Sequence, residues 1–184
     1  MPEPSHSEKP VLKELILGGV RSGKSRLAEH LALQTERPVV YVATARADDA
    51  EMRQRIALHQ QHRPADWTVV EEPLALAEVL VRQVHPGRCV IVDCLTLWLT
   101  QLLCEADTTR LERERQALLN CLPELTGHLI LIGNETSMGI MPLGELSRSY
   151  GDEAGLLHQA LAGMCDRVIL TVAGLPLIIK GASV

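Results

Sequence analysis

The chain has 184 residues, the size of one domain, and at that length folding buries about 70% of the unfolded surface without disulfides or structural metals. It is 46% hydrophobic and 22% charged, which excludes a disordered protein, and its net charge of −5 gives no footprint for binding a nucleic acid. Aromatic residues are 2% with no Phe, so the core must be aliphatic and a base-stacking platform is excluded.

Residues 1–10 are polar and Pro-rich, without the charged-then-apolar pattern of a signal peptide, and are expected to be a disordered extension. Residues 11–184 are expected to form a single nucleotide-binding domain. An apolar strand at 15–17 leads into a Gly-rich turn and a helix over 24–34. The β-branched run at 39–43 predicts a second strand. Asp48 and Asp49 suit a helix start, and Pro64 stops that helix near residue 62. A strand at 67–70 and a helix over 73–84 follow. Cys89-Val90-Ile91-Val92-Asp93 reads as a buried strand ending in a carboxylate. Helical stretches fill 95–122, with charge-rich turns around 107–115. A strand at 129–132, a helix over 143–164 and strands at 168–172 and 175–179 complete the chain. Gly174 between the last two predicts an edge hairpin. Near-continuous apolar strands alternating with helices imply a mostly parallel sheet covered on both faces.

Gly18-Gly19-Val20-Arg21-Ser22-Gly23-Lys24-Ser25 satisfies G-x-x-x-x-G-K-[ST], between a predicted strand and a predicted helix. Backbone N–H groups in such a loop curl round phosphate oxygens, and the helix N-terminus adds positive dipole. Lys24, expected to face solvent, would reach the β- and γ-phosphates, and the Ser25 hydroxyl would ligate Mg²⁺. Asp93, at a strand's C-terminal end, would support the same ion. The fold class is therefore α/β, of the P-loop NTPase (RecA-like) type, with a C-terminal edge hairpin.

Helical spacing puts Met52, Ile56, His59 and Arg63 on one apolar face, turning His59 toward the sheet edge. From pattern alone three readings stay open: a catalytic histidine, a satisfied core histidine, or a cation near a helix C-terminus. Pairing His59 with His62 as metal ligands is the poorest reading, because no nearby Cys, His or acidic residue completes a tetrahedral set. The five cysteines contain no C-x-x-C pair and are expected to be reduced and mostly buried, in a cytoplasmic protein. No apolar stretch reaches 18 residues, so no membrane span is expected.

Over residues 14–181 the chain resembles the bifunctional adenosylcobinamide kinase/adenosylcobinamide-phosphate guanylyltransferases of cobalamin biosynthesis. The resemblance rests on GGVRSGKS at 18–25, YVATA at 41–45, EMRQRIALHQQHRPADW at 51–67 and VDCLTLW at 92–98. It continues through NETSMGIMP at 134–142, DEAG at 152–155 and AGLPLIIKG at 173–181. The run H-x-x-x-R-P-x-x-W from His59 to Trp67, combined with N-E-x-x-x-G-I-x-P, is specific beyond a generic P-loop.

The resemblance implies phosphorylation of adenosylcobinamide by ATP or GTP, followed by transfer of GMP from GTP to the resulting phosphate. It makes His59 the guanylylated nucleophile and Lys24 its catalytic companion. It assigns nucleotide contacts to residues 18–25 together with Arg26, Thr44, Ala45, Arg46, Gln60, Gln61, His62, Arg63, Glu71 and Asp93. Mg²⁺ would be held by Ser25 and Asp93. A corrinoid is the implied acceptor, and a homo-oligomer, specifically a trimer with sites near subunit boundaries, is the implied assembly. Gln60 departs from the family, where a basic residue is common, and Thr136-Ser137 stand where Val-Gly is common. A monofunctional small-molecule kinase and a nucleotide-switch or motor module are the rival readings of the P-loop.

Overall fold

The computed structural model describes residues 11–46, 50, 53, 54, 57 and 64–184. Its sheet has seven strands: β1 (Lys13–Gly18), β2 (Val39–Ala43), β3 (Thr68–Glu71), β4 (Cys89–Asp93), β5 (His128–Asn134), β6 (Arg167–Val172) and β7 (Leu175–Lys180). Among the described residues five continuous α-helices accompany them: α1 (Lys24–Gln34), α2 (Leu76–Gln83), α3 (Leu95–Leu103), α4 (Arg110–Cys121) and α5 (Glu145–Met164). The strand order is β3-β2-β4-β5-β1-β6-β7. Every neighbouring pair is parallel except β6 and β7, the expected C-terminal hairpin.

Period-two alternation divides the core into two layers. Ile16, Ile91, Ile130 and Ile132 face one side, packed with Ala28, Leu31 and Ala32 of α1. Leu15, Leu17, Val90, Val92, Leu129 and Leu131 face the other, under Leu80 of α2, Trp98 and Leu102 of α3, Leu118 of α4 and Leu157 of α5. Trp98, fully buried, donates from Nε1 to the Leu74 carbonyl at 2.7 Å, which satisfies the one polar atom of its ring.

Several expectations are corrected. The helix expected over 73–84 begins only at Leu76, because Glu72 Oε1 accepts from the Leu74 and Ala75 N–H groups and turns the chain there first. The break expected within 95–122 comes at Cys104–Thr109, earlier than the turns expected around 107–115, where Asp107 accepts from the Thr109 N–H and hydroxyl. The charge-rich segment from Arg110 onward is helix, not turn, and carries an i,i+4 pair between Arg110 and Glu114. Two of the five cysteines, Cys89 and Cys165, are buried, whereas Cys94 and Cys121 are half-buried and Cys104 is exposed. Burial pushes the Cys89 and Cys165 thiols up to about 12, so neither is a nucleophile. The helix expected to end near residue 62 falls largely outside the described residues, of which Ala50, Arg53, Gln54 and Ala57 are helical. No helix among the described residues is long and apolar enough to cross a membrane.

Candidate active site

The parallel register brings the C-terminal ends of the strands to one edge. Gly18 is level with Asn134 and Thr171, and Asp93 is level with Ala43 and Ile132. Open α/β sheets bind ligands at this edge, where the strands' last carboxylates and loops converge.

The loop after β1 has the backbone that a phosphate cradle requires. Gly18, at φ 155, approaches the Thr171 carbonyl so closely that no Cβ fits between them. Gly23, at φ 97, is the left-handed residue that turns the loop into α1. The Gly174 N–H of the β6–β7 turn donates to the Ser22 carbonyl at 2.9 Å, and the Glu135 N–H donates to the Gly18 carbonyl at 3.0 Å. The loop is thereby tied to both neighbouring strand ends before any ligand arrives. Val20 and Arg21 stand exposed at its tip.

Lys24 is buried, at 8% exposure, and not solvent-facing as expected. Its Nζ donates to the Gly19 carbonyl at 2.6 Å, folding the cation over its own loop. Burial lowers its pKa, while the nearby Asp93 opposes that shift. A phosphate oxygen would displace the carbonyl and supply a full counter-charge, a stronger partner than a neutral acceptor. Ser22 Oγ, beside Gly18, and Thr171 Oγ1, on the adjacent strand β6, are buried without a hydrogen bond among the described residues.

Ser25 and Asp93 meet as the sequence predicts: Ser25 Oγ donates to Asp93 Oδ2 at 2.8 Å. Sequence reasoning missed the third member of this group. Tyr41, buried in β2, donates its hydroxyl to the same Oδ2 at 2.7 Å. The available signal was a single hydroxyl-bearing ring in an apolar strand, two residues before the chain leaves the sheet.

The remaining nucleotide candidates separate. Thr44 is fully buried, and its Oγ1 donates to the Cys94 carbonyl at 2.7 Å while accepting from the Cys94 N–H at 2.8 Å. It ties the end of β2 to the end of β4, with no hydroxyl proton left for a phosphate. Ala45 is half-buried, and the exposed Arg46 lies 3.5 Å from Glu105. The exposed Arg26 rests its guanidinium near Gly174, where a Cβ would be 3.2 Å from Nη2. Glu71 is exposed at the end of β3, four strand spacings from β1. That is roughly 19 Å, so the structure does not bring Glu71 to the loop that holds Lys24. His59, Gln60, Gln61, His62 and Arg63 lie outside the described residues. The Pro64–Trp67 turn directly after them is described, and Trp67 is buried with its ring centroid 6.5 Å from that of Tyr41.

Beyond β5, a cavity of about 460 Å³ opens between Thr100 and Leu103 of α3, Ile140 and Pro142 of the following loop, and Leu146 and Tyr150 of α5. Among the described residues no group of three or more His, Cys, Asp or Glu is placed to hold a metal ion.

Comparison with known proteins shows the family and the fold. A solved protein from Pyrococcus horikoshii OT3, Project ID PH0250, superposes with a TM-score of 0.51 at 12% identity, covering 96% of this chain and 90% of that one; this likeness concerns the fold alone. The chain is 60% identical over 170 residues to the bifunctional adenosylcobalamin biosynthesis protein CobP of Pseudomonas aeruginosa, covering 92% of this chain and 98% of the relative. It is 36% identical over 179 residues to the bifunctional adenosylcobalamin biosynthesis protein CobU of Escherichia coli, covering 90% and 98%. The family model described as cobinamide kinase / cobinamide phosphate guanyltransferase matches residues 14–179, which does not favour a monofunctional kinase. With its P-loop, its β4 carboxylate and this match across nearly the whole sheet, the chain belongs to the bifunctional cobinamide kinase / cobinamide phosphate guanyltransferase family.

Proposed function

We propose that this enzyme works on adenosylcobinamide in two steps that share the P-loop. In the first, the acceptor hydroxyl attacks the γ-phosphorus of ATP or GTP, giving adenosylcobinamide phosphate, the nucleoside diphosphate and a proton. In the second, a ring nitrogen of His59 attacks the α-phosphorus of GTP and pyrophosphate leaves. The phosphate of adenosylcobinamide phosphate then displaces the imidazole, giving adenosylcobinamide-GDP and free His59.

The observation that carries this reading is the arrangement of Lys24, Ser25 and Asp93 at the mouth of the loop, with Ser25 and Asp93 joined at 2.8 Å. A hydroxyl and a carboxylate are hard oxygen donors and fit Mg²⁺, which when bound would neutralise part of the triphosphate charge. Lys24 binds the β- and γ-phosphates and stabilises charge developing on either leaving group. The loop N–H groups orient the chain of phosphates, and Arg21 and Arg26 are exposed cations beside them. Gln60, Gln61, His62 and Arg63, next to the nucleophile, and Thr44, Ala45 and Arg46, at the end of β2, are assigned to nucleotide binding. Glu71, at the far side of the same edge, is assigned to the nucleotide's nucleoside end. A covalent GMP–histidine spares the enzyme from bringing two polyanions together in one step.

A cytoplasmic homo-oligomer, a trimer by family resemblance, completes the reading. Ile140 and Leu143 on the loop after β5 are 98% and 99% exposed, apolar area that a second copy would cover. Incubating the protein with adenosylcobinamide, Mg²⁺ and GTP tests the function directly. Mass analysis should find adenosylcobinamide phosphate, then adenosylcobinamide-GDP and pyrophosphate. Accumulation of the phosphate alone would reduce the enzyme to its kinase half.

A further inference from the structure

We infer that Tyr41 is a positioning residue for the magnesium–nucleotide site, holding Asp93 through its hydroxyl while its ring is held by the end of the histidine-bearing run. Asp93 sits at the last position of β4 and is half-buried, so nothing in the strand itself fixes its side-chain torsions. Two hydroxyls converge on a single oxygen, Oδ2: Ser25 from the start of α1 at 2.8 Å and Tyr41 from β2 at 2.7 Å. Ser25 is the hydroxyl that a bound metal would recruit, which leaves Tyr41 as the anchor that does not need to move. Outer contacts of this kind orient a ligating carboxylate, and their loss typically weakens metal affinity by tenfold or more.

The Tyr41 ring is itself fixed. It is 3% exposed, in the layer that includes Ile91 and Ile132, and its ring is tilted 31° against that of Trp67. Trp67 closes the turn begun at Pro64, its N–H donating to the Pro64 carbonyl at 3.3 Å. One side chain therefore touches both the carboxylate of the P-loop site and the residue that ends the run containing His59. Phe at position 41 would keep the ring and remove the hydroxyl that bonds Asp93.

The inference rests on the assignment of Ser25 and Asp93 to the magnesium nucleotide. The test is calorimetric binding of a non-hydrolysable GTP analogue to the full-length protein across a Mg²⁺ series, for wild type, Tyr41→Phe, Asp93→Asn and the double variant. Tyr41→Phe should raise the Mg²⁺ concentration for half-maximal enhancement about tenfold, with Mg²⁺-free affinity unchanged. The double variant should match Asp93→Asn alone, because Tyr41 acts only through that carboxylate. An unchanged Mg²⁺ midpoint in Tyr41→Phe, an equal loss with and without Mg²⁺, or additive effects in the double variant would each overturn the inference. If Asp93→Asn itself leaves the Mg²⁺ response unaltered, the metal assignment fails first, and the role of Tyr41 falls with it.

Discussion

Each end of the sheet carries a histidine and a carboxylate, arranged to opposite effect. At the N-terminal end, Glu14 of β1 is completely buried. Its Oε1 meets His128 Nε2 of β5 at 2.7 Å, and its Oε2 accepts from Arg167 Nε of β6 at 2.6 Å. The Leu12 N–H donates to His128 Nδ1 at 3.3 Å, so the ring's proton belongs on Nε2 and every polar atom of the group is used. At the C-terminal end, His158 of α5 packs against Gly133 of β5, where a Cβ would be 2.9 Å from Nε2. Glu135 nearby turns instead to the Ser137 hydroxyl and N–H. The same end carries a lysine folded onto a loop carbonyl and two buried hydroxyls, of Ser22 and Thr171, without a hydrogen bond among the described residues. The closed end fixes three parallel strands in register. The open end holds the donors that we assign to phosphate.

The largest expected effect comes from breaking the closed end. Glu14→Ala leaves Arg167 buried without its counter-charge and should cost about 3–5 kcal/mol. Chemical denaturation would read this directly, and a loss below about 1 kcal/mol would mean that the buried group does not hold the strands. At the open end the penalty should fall on chemistry instead. Lys24→Ala should lower both kinase and guanylyl-transfer rates by at least about a hundredfold. Its thermal midpoint should stay near wild type, because the hydrogen bond that Lys24 Nζ makes is to a carbonyl of its own loop. Wild-type turnover would remove Lys24 from the mechanism.

Asp93→Asn should weaken nucleotide binding in Mg²⁺ by about tenfold and change Mg²⁺-free binding little. The smallest effect concerns His158, whose pKa burial lowers, with Glu135 opposing. A lowered histidine pKa favours the neutral ring in the fold, so stability should fall as pH drops below about 6.5 and level off below the folded value. Urea midpoints at pH 7.5 and 5.5 should therefore converge in His158→Gln relative to wild type. An unchanged gap would place the acid sensitivity elsewhere.

The open end was more legible in the sequence than the closed one. Gly18, Gly23, Lys24 and Ser25 announce themselves by type and spacing, since a phosphate cradle needs those residue types at that fixed interval. Asp93 was legible because it ends an apolar run. Glu14, His128 and Arg167 are separated by more than a hundred residues from first to last, and only the β5-β1-β6 strand order brings them together. Tyr41 was hidden for the same reason: its partner lies on the neighbouring strand, 52 residues away. The break within 95–122 was legible in its charge-rich segment, but its bounds were not, because apolar residues recur at helical spacing on both sides of Cys104–Thr109. Lys24 was expected in solvent because the motif gives its target, a phosphate, and not the carbonyl it occupies without one.

In the proposed reaction one P-loop serves two transfers, the second through a histidine. Incubation with GTP labelled at the α-phosphate, without corrinoid, should leave label on the protein that is lost in acid and survives alkali, as a phosphorus–nitrogen bond to imidazole does. Label from the γ-phosphate should leave nothing. His59→Asn should lose the adduct and guanylyl transfer yet still phosphorylate adenosylcobinamide, and His62→Asn should keep the adduct. Label retained in His59→Asn but lost in His62→Asn would contradict the assignment of the nucleophile, and an unlabelled wild-type protein would contradict the covalent route altogether.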